Sequence, residues 1–435
     1  MRMSVIGCGY LGAVHAASMA KLGHEVVGID VDPAKIEALA AGKSPIFEPG
    51  LPELLVESVG SGRLSFSTDT AAARGAKVHF IAVGTPQKAG SYAADLRFVD
   101  AAVEGLMPHL APGDLVVGKS TVPVGTAERL AKMIEPTGAM LAWNPEFLRE
   151  GFAVKDTISP DRLVYGLPPE PADAAAAQAL LDEVYAEALS HDTPLVATDY
   201  ATAELVKVAA NAFLATKISF INAMAEISEA AGADVTQLAD AIGYDARIGR
   251  RFLNAGAGFG GGCLPKDIRA FSARAEELGK GEALNFLKEV DAINLRRRDR
   301  VVELVVEALG GSVYNKKVAV LGLAFKPDSD DIRDSPSLDV AVRLNGLGAN
   351  VVATDPEAIA NSRRMHPQLV FGTTEEALQD ADAVVVVTEW SEYRALDPAA
   401  VAAVVRGTVV IDGRNCLDLA AWRGAGWTYI GLGRR

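Results

Sequence analysis

The chain is poor in cysteine. Its three cysteines in 435 residues, Cys8, Cys263 and Cys416, stand far apart with no CxxC pair among them. That argues against a disulfide framework or a cysteine-based zinc site, and it fits a reducing compartment. The six histidines include no HxxxH or HExxH pair, so no helix face offers two imidazoles to a metal. Basic residues are in deficit, 42 against 56 acidic ones, for a net charge of −14. Nonspecific binding to nucleic acid or to an anionic membrane needs a basic face, and this balance argues against both. A small anionic ligand needs only a local cluster of cations. No run of eighteen apolar residues occurs, so no spanning helix is expected. The N-terminus runs straight from Met1 through a short apolar segment into Gly7, without the pattern of a signal peptide. A soluble, cytoplasmic protein is expected.

What is present is ordinary for a globular protein, with 49% hydrophobic and 23% charged residues. The length suggests about three domains. The sharpest local signal lies in the first thirty residues. Met3 to Ile6 reads as a buried strand, Gly7-Cys8-Gly9-Tyr10-Leu11-Gly12 matches GxGxxG, Ala13 to Leu22 reads as helix, and Glu25 to Ile29 is a second strand ending at Asp30. Gly7 permits the tight turn, Gly9 lets a pyrophosphate approach the backbone, and Gly12 lets helix and strand pack closely. Asp30 is placed to accept hydrogen bonds from a ribose diol, which favours NAD over NADP. Further strands run into Gly84-Thr85-Pro86, into Lys119-Ser120-Thr121-Val122-Pro123, and toward Asn144-Pro145-Glu146-Phe147-Leu148-Arg149-Glu150-Gly151. Turns at strand C-termini are where open α/β sheets hold ligands.

An alanine-rich tract near 171–188 reads as a surface helix. Thr198 to Ala231 reads as one long helix, a natural connector and a plausible dimer surface. A second α/β pattern begins near Lys316, with strands at Val318–Leu321, Val351–Thr354, Ala383–Val387 and Val409–Ile411. It echoes the first but breaks the glycine fingerprint, because Phe325 and Lys326 stand where small residues would admit a dinucleotide. The expected fold is therefore α/β, with two Rossmann-like doubly wound domains joined by a long central helix. Lys326 and Arg414 are candidates to meet a phosphate-bearing ligand in the second.

Cys263 lies in Gly258-Phe259-Gly260-Gly261-Gly262-Cys263-Leu264-Pro265-Lys266-Asp267. Pro265 suits the start of a helix, so the thiol sits at a helix N-terminus, where the dipole and Lys266 favour thiolate. The flanking glycines let the backbone come close to a ligand. Lys207 and Asn211 share one helical face, and Glu146 and Glu150 have the same i, i+4 spacing. Bland readings stand beside each: a small buried thiol, a snorkelling lysine, exposed helical acids. A dinucleotide fold with a separate cysteine nucleophile nevertheless has a chemical logic. An alcohol is oxidised to an aldehyde, cysteine traps it, a second oxidation gives a thioester, and water releases a carboxylate. The alternatives are a β-hydroxyacid dehydrogenase, which needs no cysteine, and a catalytically silent dinucleotide sensor.

Taken together these motifs, in this order from residue 1 to about 415, resemble the UDP-glucose/GDP-mannose 6-dehydrogenase family. The resemblance implies an NAD-dependent four-electron oxidation of a nucleotide sugar. Cys263 would be the nucleophile, and Lys207, Asn211 and Asp267 would surround the reacting oxygen. Thr121 and Glu150 would hold water and nicotinamide, and Glu146 would be the base for thioester hydrolysis. Cofactor contacts would come from Gly7, Gly9, Tyr10, Leu11, Gly12, Asp30, Lys35, Thr85, Pro86, Ser120, Thr121, Glu150, Lys266 and Arg333. Substrate contacts would come from Glu146, Phe147, Leu148, Lys207, Asn211, Phe252, Leu253, Asn254, Phe259, Gly260, Lys326 and Arg414, with Arg247 reaching from a second subunit. Asp245-Ala246-Arg247-Ile248-Gly249 looks like the branch that acts on UDP-glucose; GDP-mannose and UDP-N-acetyl-hexosamine are the alternatives. The implied domains are 1–197 for NAD, 198–300 for dimerisation and 301–435 for the UDP-sugar, in a homodimer without metal.

Overall fold

A computed structural model of the chain describes residues 1–44 and 46–434. It divides into two units: Met1–Ala210 with Ala273–Leu278, and Asn211–Ser272 with the chain from Gly279 onward. In the first unit, β1 (Arg2–Ile6), β2 (Glu25–Ile29), β3 (Leu64–Ser67), β4 (Val78–Ile81), β5 (Leu115–Gly118), β6 (Met140–Trp143), β7 (Leu163–Leu167) and β8 (Leu195–Asp199) form one sheet. Its order is β3-β2-β1-β4-β5-β6-β7-β8, parallel except between β6 and β7. The central strands are short apolar runs because helices cover both faces. Met3, Val5, Phe80 and Val117 point into one core layer, and Ile6, Ile81 and Val116 into the other. β1 pairs with β2 on one side and β4 on the other, so strand order reverses between β1 and β4. The crevice at such a switch point is where ligands bind, and here it opens beside Gly7 and Gly84.

Several boundaries differ from expectation, among them the start of the long helix, which is Tyr200 and not Thr198 because Thr198 and Asp199 close β8. The first helix spans Tyr10–Lys21, not Ala13 to Leu22, so Gly12 lies inside its first turn. The alanine-rich tract is not one surface helix. It forms Pro171–Val184 and Ala186–Ser190, and Ala177, Leu181, Val184 and Ala188 enter the core.

The second unit carries β9 (Lys317–Leu321), β10 (Asn350–Thr354), β11 (Val370–Phe371), β12 (Ala383–Val386), β13 (Val409–Asp412) and β14 (Thr428–Gly431). They form a parallel sheet in the order β11-β10-β9-β12-β13-β14. Its first turn repeats that of the first unit. The Gly7 amide donates to Ile29 at 2.7 Å and the Gly322 amide to Thr354 at 2.9 Å. In the second unit, however, Asp355 accepts from the amides of Leu323 and Ala324 at 2.7 and 3.0 Å and from Trp390 Nε1 at 3.2 Å. The acid is thereby satisfied within the turn and by the Trp390 indole.

The long helix is Tyr200–Ala231. By length and composition it is apolar enough to cross a membrane, with mean hydropathy 1.3, although 44% of that window is buried inside the protein. The expectation of no spanning candidate counted only uninterrupted apolar runs, which Glu204, Lys207, Asn211 and Lys217 break.

Candidate active site

In the first unit the GxGxxG turn is fixed by backbone contacts. Gly7 has φ +91°, and a Cβ at Gly12 would lie 1.7 Å from the Gly7 carbonyl oxygen. A Cβ at Gly9 would meet nothing within 4 Å, so the backbone there is open. Among the described residues no side chain caps the helix that Gly9 opens, which leaves its N–H groups for an anion. Asp30 accepts from the Cys8 amide at 2.8 Å and pairs with Lys35 at 2.9 Å. Cys8 is buried and packs where a side chain at Gly28 would clash, and burial pushes its thiol up to about 12. The thiol fills space beside Gly28.

The turns after β4 and β5 are stitched together. Thr85 Oγ1 donates to the Thr121 carbonyl at 2.8 Å, and Ser120 Oγ to that of Val83 at 2.7 Å. Glu204, buried on the long helix, accepts from the amides of Gly125 and Ala127 at 2.8 and 2.7 Å. It thereby holds the end of the Thr121 turn at the start of helix Thr126–Ile134. Neither Glu204 nor Glu48 stands out in the sequence. Glu48 is 2% exposed and accepts from the amides of Gly151 and Ala153 at 2.7 Å and from the Tyr10 hydroxyl. It ties the segment after Glu150 to the glycine turn.

Glu146 and Glu150 do not share a helix. Residues 144–149 are irregular, with a turn at 150–151, so their spacing of four has no helical meaning. Lys207 is buried, and its ammonium stands 3.2 Å from Glu146. Phe147 lies against it, 5.5 Å from the Lys207 Nζ to the ring centroid, and Arg162 stacks on the ring at 3.8 Å.

In the second unit, Cys263 is exposed and immediately precedes helix Leu264–Glu277, and its carbonyl accepts from the Asp267 amide at 2.9 Å. Asp267 is 1% exposed, accepts from Asn211 Nδ2 at 2.6 Å and pairs with Lys266 at 2.6 Å. Cys416 is partly buried near Asp412, and burial raises its thiol. The glycines before Cys263 were expected to admit a ligand. Instead a Cβ at Gly258, Gly260, Gly261 or Gly262 would strike Asn294, Asp334, Phe325 or Arg333 at 2.3–2.8 Å. They let this loop pack on its own unit. Asn294, fully buried and not anticipated, brackets Phe259 by accepting from its amide at 2.7 Å and donating to its carbonyl at 3.0 Å.

The expected cations are engaged. Arg414 donates to the carbonyls of Val387, Gly258 and Phe325 at 2.8, 2.7 and 3.2 Å, so it joins three loops of the unit. Arg333 pairs with Asp331 and Arg247 with Asp245, both at 2.6 Å, and Arg247 is exposed. Phe252 has φ +65°, a conformation uncommon outside glycine. Leu253 is buried, and Arg250 bonds both its carbonyl and the Asn254 side chain at 3.0 and 2.8 Å.

Residues 1–189 match the NAD binding domain of the UDP-glucose/GDP-mannose dehydrogenase family, 201–296 its central domain and 319–419 its UDP binding domain. The UDP-glucose 6-dehydrogenase of Rhizobium meliloti (strain 1021) is 41% identical over 440 residues, covering 100% of each chain. The chain belongs to the UDP-glucose/GDP-mannose dehydrogenase family. UDP-glucose 6-dehydrogenase YwqF of Bacillus subtilis (strain 168) is also 41% identical, over 100% of this chain and 98% of the relative. Among solved structures, a UDP-glucose dehydrogenase from Pyrobaculum islandicum aligns with TM-score 0.90 at 39% identity, covering 100% and 98% of the two chains. A UDP-D-ManNAc dehydrogenase from Pyrococcus horikoshii aligns with TM-score 0.86 at 26% identity, covering 100% and 99%. Membership makes the cofactor NAD, and the first unit fits it. The helix end at Gly9 and the open Gly9 backbone suit its pyrophosphate, and Asp30 suits a ribose diol.

Proposed function

We propose that this dehydrogenase converts UDP-glucose to UDP-glucuronate by two successive NAD-dependent oxidations through Cys263. The observation that carries the mechanism is an exposed thiol at a helix N-terminus, one turn before a buried Asp267 held by Asn211. NAD, when bound, supplies the hydride acceptor for both oxidations. The sugar C6 hydroxyl loses a proton and a hydride to become an aldehyde. The Cys263 thiolate adds to that carbonyl carbon and forms a thiohemiacetal. Loss of the hydroxyl proton and of a second hydride gives the thioester, and water attacks it to release the carboxylate and return the thiol. Lys207 and Asn211 stabilise charge on the reacting oxygen, Asp267 organises water, and Glu146 takes the proton from water. Thr121 and Glu150 hold water and nicotinamide, while Lys326 and Arg414 order the loops that meet the UDP-sugar.

The proposed functional regions are 1–197 for NAD, 198–300 for dimerisation and 301–435 for UDP-glucose. A homodimer is supported by the exposed Phe213, Phe220 and Ile227, which recur at seven-residue spacing on the long helix. The proposed setting is the cytoplasm, in the supply of an acidic sugar for polysaccharide synthesis, without nucleic acid or membrane. The test is a substrate panel with NAD. UDP-glucose should give the highest kcat/KM over GDP-mannose and UDP-N-acetylglucosamine, and Cys263→Ser should form no acid. A Cys263→Ser enzyme with normal acid formation contradicts the covalent route.

A further inference from the structure

In the first unit, a cavity of about 40 Å³ lies beside the loop that carries Glu146, bordered by His15, Lys119, Glu146, Phe147, Arg162 and Tyr185. Lys119 is the unusual member. It is 7% exposed, and its ammonium donates to Asn144 Oδ1 at 3.0 Å and to the Tyr185 hydroxyl at 3.2 Å. It also lies 5.8 and 5.7 Å from the ring centroids of Phe80 and Tyr185. Among the described residues no carboxylate forms an ion pair with it. A buried charge whose hydrogen-bond partners are neutral is less stable than an apolar side chain of the same size. A charge kept in such a place points to a task.

The task is visible in what Lys119 holds and faces. Asn144 opens the loop two residues before Glu146. Its side chain is locked from three sides: by Lys119, by the Tyr185 hydroxyl at 2.6 Å, and by its own bond to the Val164 carbonyl at 2.9 Å. Glu146 and Lys207 both act electrostatically on Lys119. We propose that Lys119 is a positioning residue for Glu146, fixing its loop through Asn144 and setting a buried positive charge beside that loop. This rests on the reading that Glu146 is the base of thioester hydrolysis.

The charged groups around the cavity come from every neighbouring element. The first helix gives His15 and the loop gives Glu146, which pairs with Lys207 of the long helix at 3.2 Å. The segment after the loop gives Asp156, Asp161 and Arg162, with Asp156 tied to Arg149. Burial brings Lys119 down to about 8 and His15 well below the usual histidine range. At pH 7 Lys119 is therefore charged and His15 neutral, and Lys119 loses its proton as pH rises through 8.

The test compares wild type with Lys119→Met for kcat from pH 6 to 9.5, melting temperature, and the mass of the enzyme during turnover with UDP-glucose and NAD. The expected result is an unchanged or raised melting temperature, a kcat lower on the order of tenfold, and acyl adduct accumulating on Cys263. The wild-type decline in kcat near pH 8 should vanish. If Lys119→Met does not fold, Tyr185→Phe removes one bond to the ammonium and should shift the same readouts less. An unchanged pH profile, or a lower kcat without acyl-enzyme, overturns the proposal. Wild type that forms no UDP-glucuronate contradicts the functional reading itself; wild type that turns over beside an unaltered variant contradicts only the role of Lys119.

Discussion

Glu48→Ala tests how the fold builds the first half of the site. The Glu48 carboxylate is 2% exposed and accepts from the Gly151 and Ala153 amides at 2.7 Å and from the Tyr10 hydroxyl. A hydrogen bond to a charged group contributes about 1.5–3 kcal/mol, and each buried amide left without a partner costs about 1–3 kcal/mol. These describe the same contacts from two sides, so the expected loss is about 3–5 kcal/mol in all. That is a large share of a typical stability of about 5–15 kcal/mol. At about 2–4 °C per kcal/mol for a unit of this size, the melting temperature of the first unit should fall by roughly 6–20 °C. Glu48→Gln keeps an acceptor oxygen and should lose about half as much. Differential scanning calorimetry of the three proteins is the assay. A Glu48→Ala transition within about 2 °C of wild type refutes the idea that this carboxylate anchors the Glu150–Ala153 segment.

Three more predictions follow from other contacts. Gly12→Ala places a methyl 1.7 Å from the Gly7 carbonyl; NAD affinity, read by fluorescence titration, should fall on the order of a hundredfold or more, equivalent to about 2.7 kcal/mol. Asn294→Leu removes both bonds to the Phe259 backbone; stability should drop by about 2 kcal/mol in urea unfolding, with a raised KM for the nucleotide sugar. His15 is buried, has no hydrogen-bond partner among the described residues, and is held well below the usual histidine range. The unfolded chain binds this proton below about pH 6.5 and the native chain does not, so stability falls with pH there by up to about 1.4 kcal/mol per unit. Melting temperature between pH 7 and 5 should therefore decline less in His15→Leu than in wild type; parallel profiles contradict the assignment.

The glycine turn, its flanking strands and the long helix are legible because each depends on local pattern. Gly7, Gly12 and Asp30 have backbone roles that any chain with this turn must satisfy, so their spacing carries the signal. The placement of Cys263 is legible for the same reason. A helix start is a local feature, and Pro265 marks that of Leu264–Glu277. What the sequence hides are long-range contacts. Glu48 meets Gly151 across 103 positions, and Lys119 meets Tyr185 across 66. No periodicity records such partners. The glycines before Cys263 mislead for a related reason: their pattern reports a close approach, but the approaching atoms belong to Asn294, Asp334, Phe325 and Arg333. Glu146 and Glu150 show the opposite failure, a helical spacing without a helix.

The central claim is that one thiol carries the sugar through two oxidations without releasing the aldehyde. The direct measurement is the ratio of NADH formed to UDP-glucose consumed, taken to completion with limiting sugar and with an aldehyde trap present. The account predicts two NADH per sugar, UDP-glucuronate as the product and no trapped aldehyde. One NADH per sugar with trapped aldehyde contradicts it.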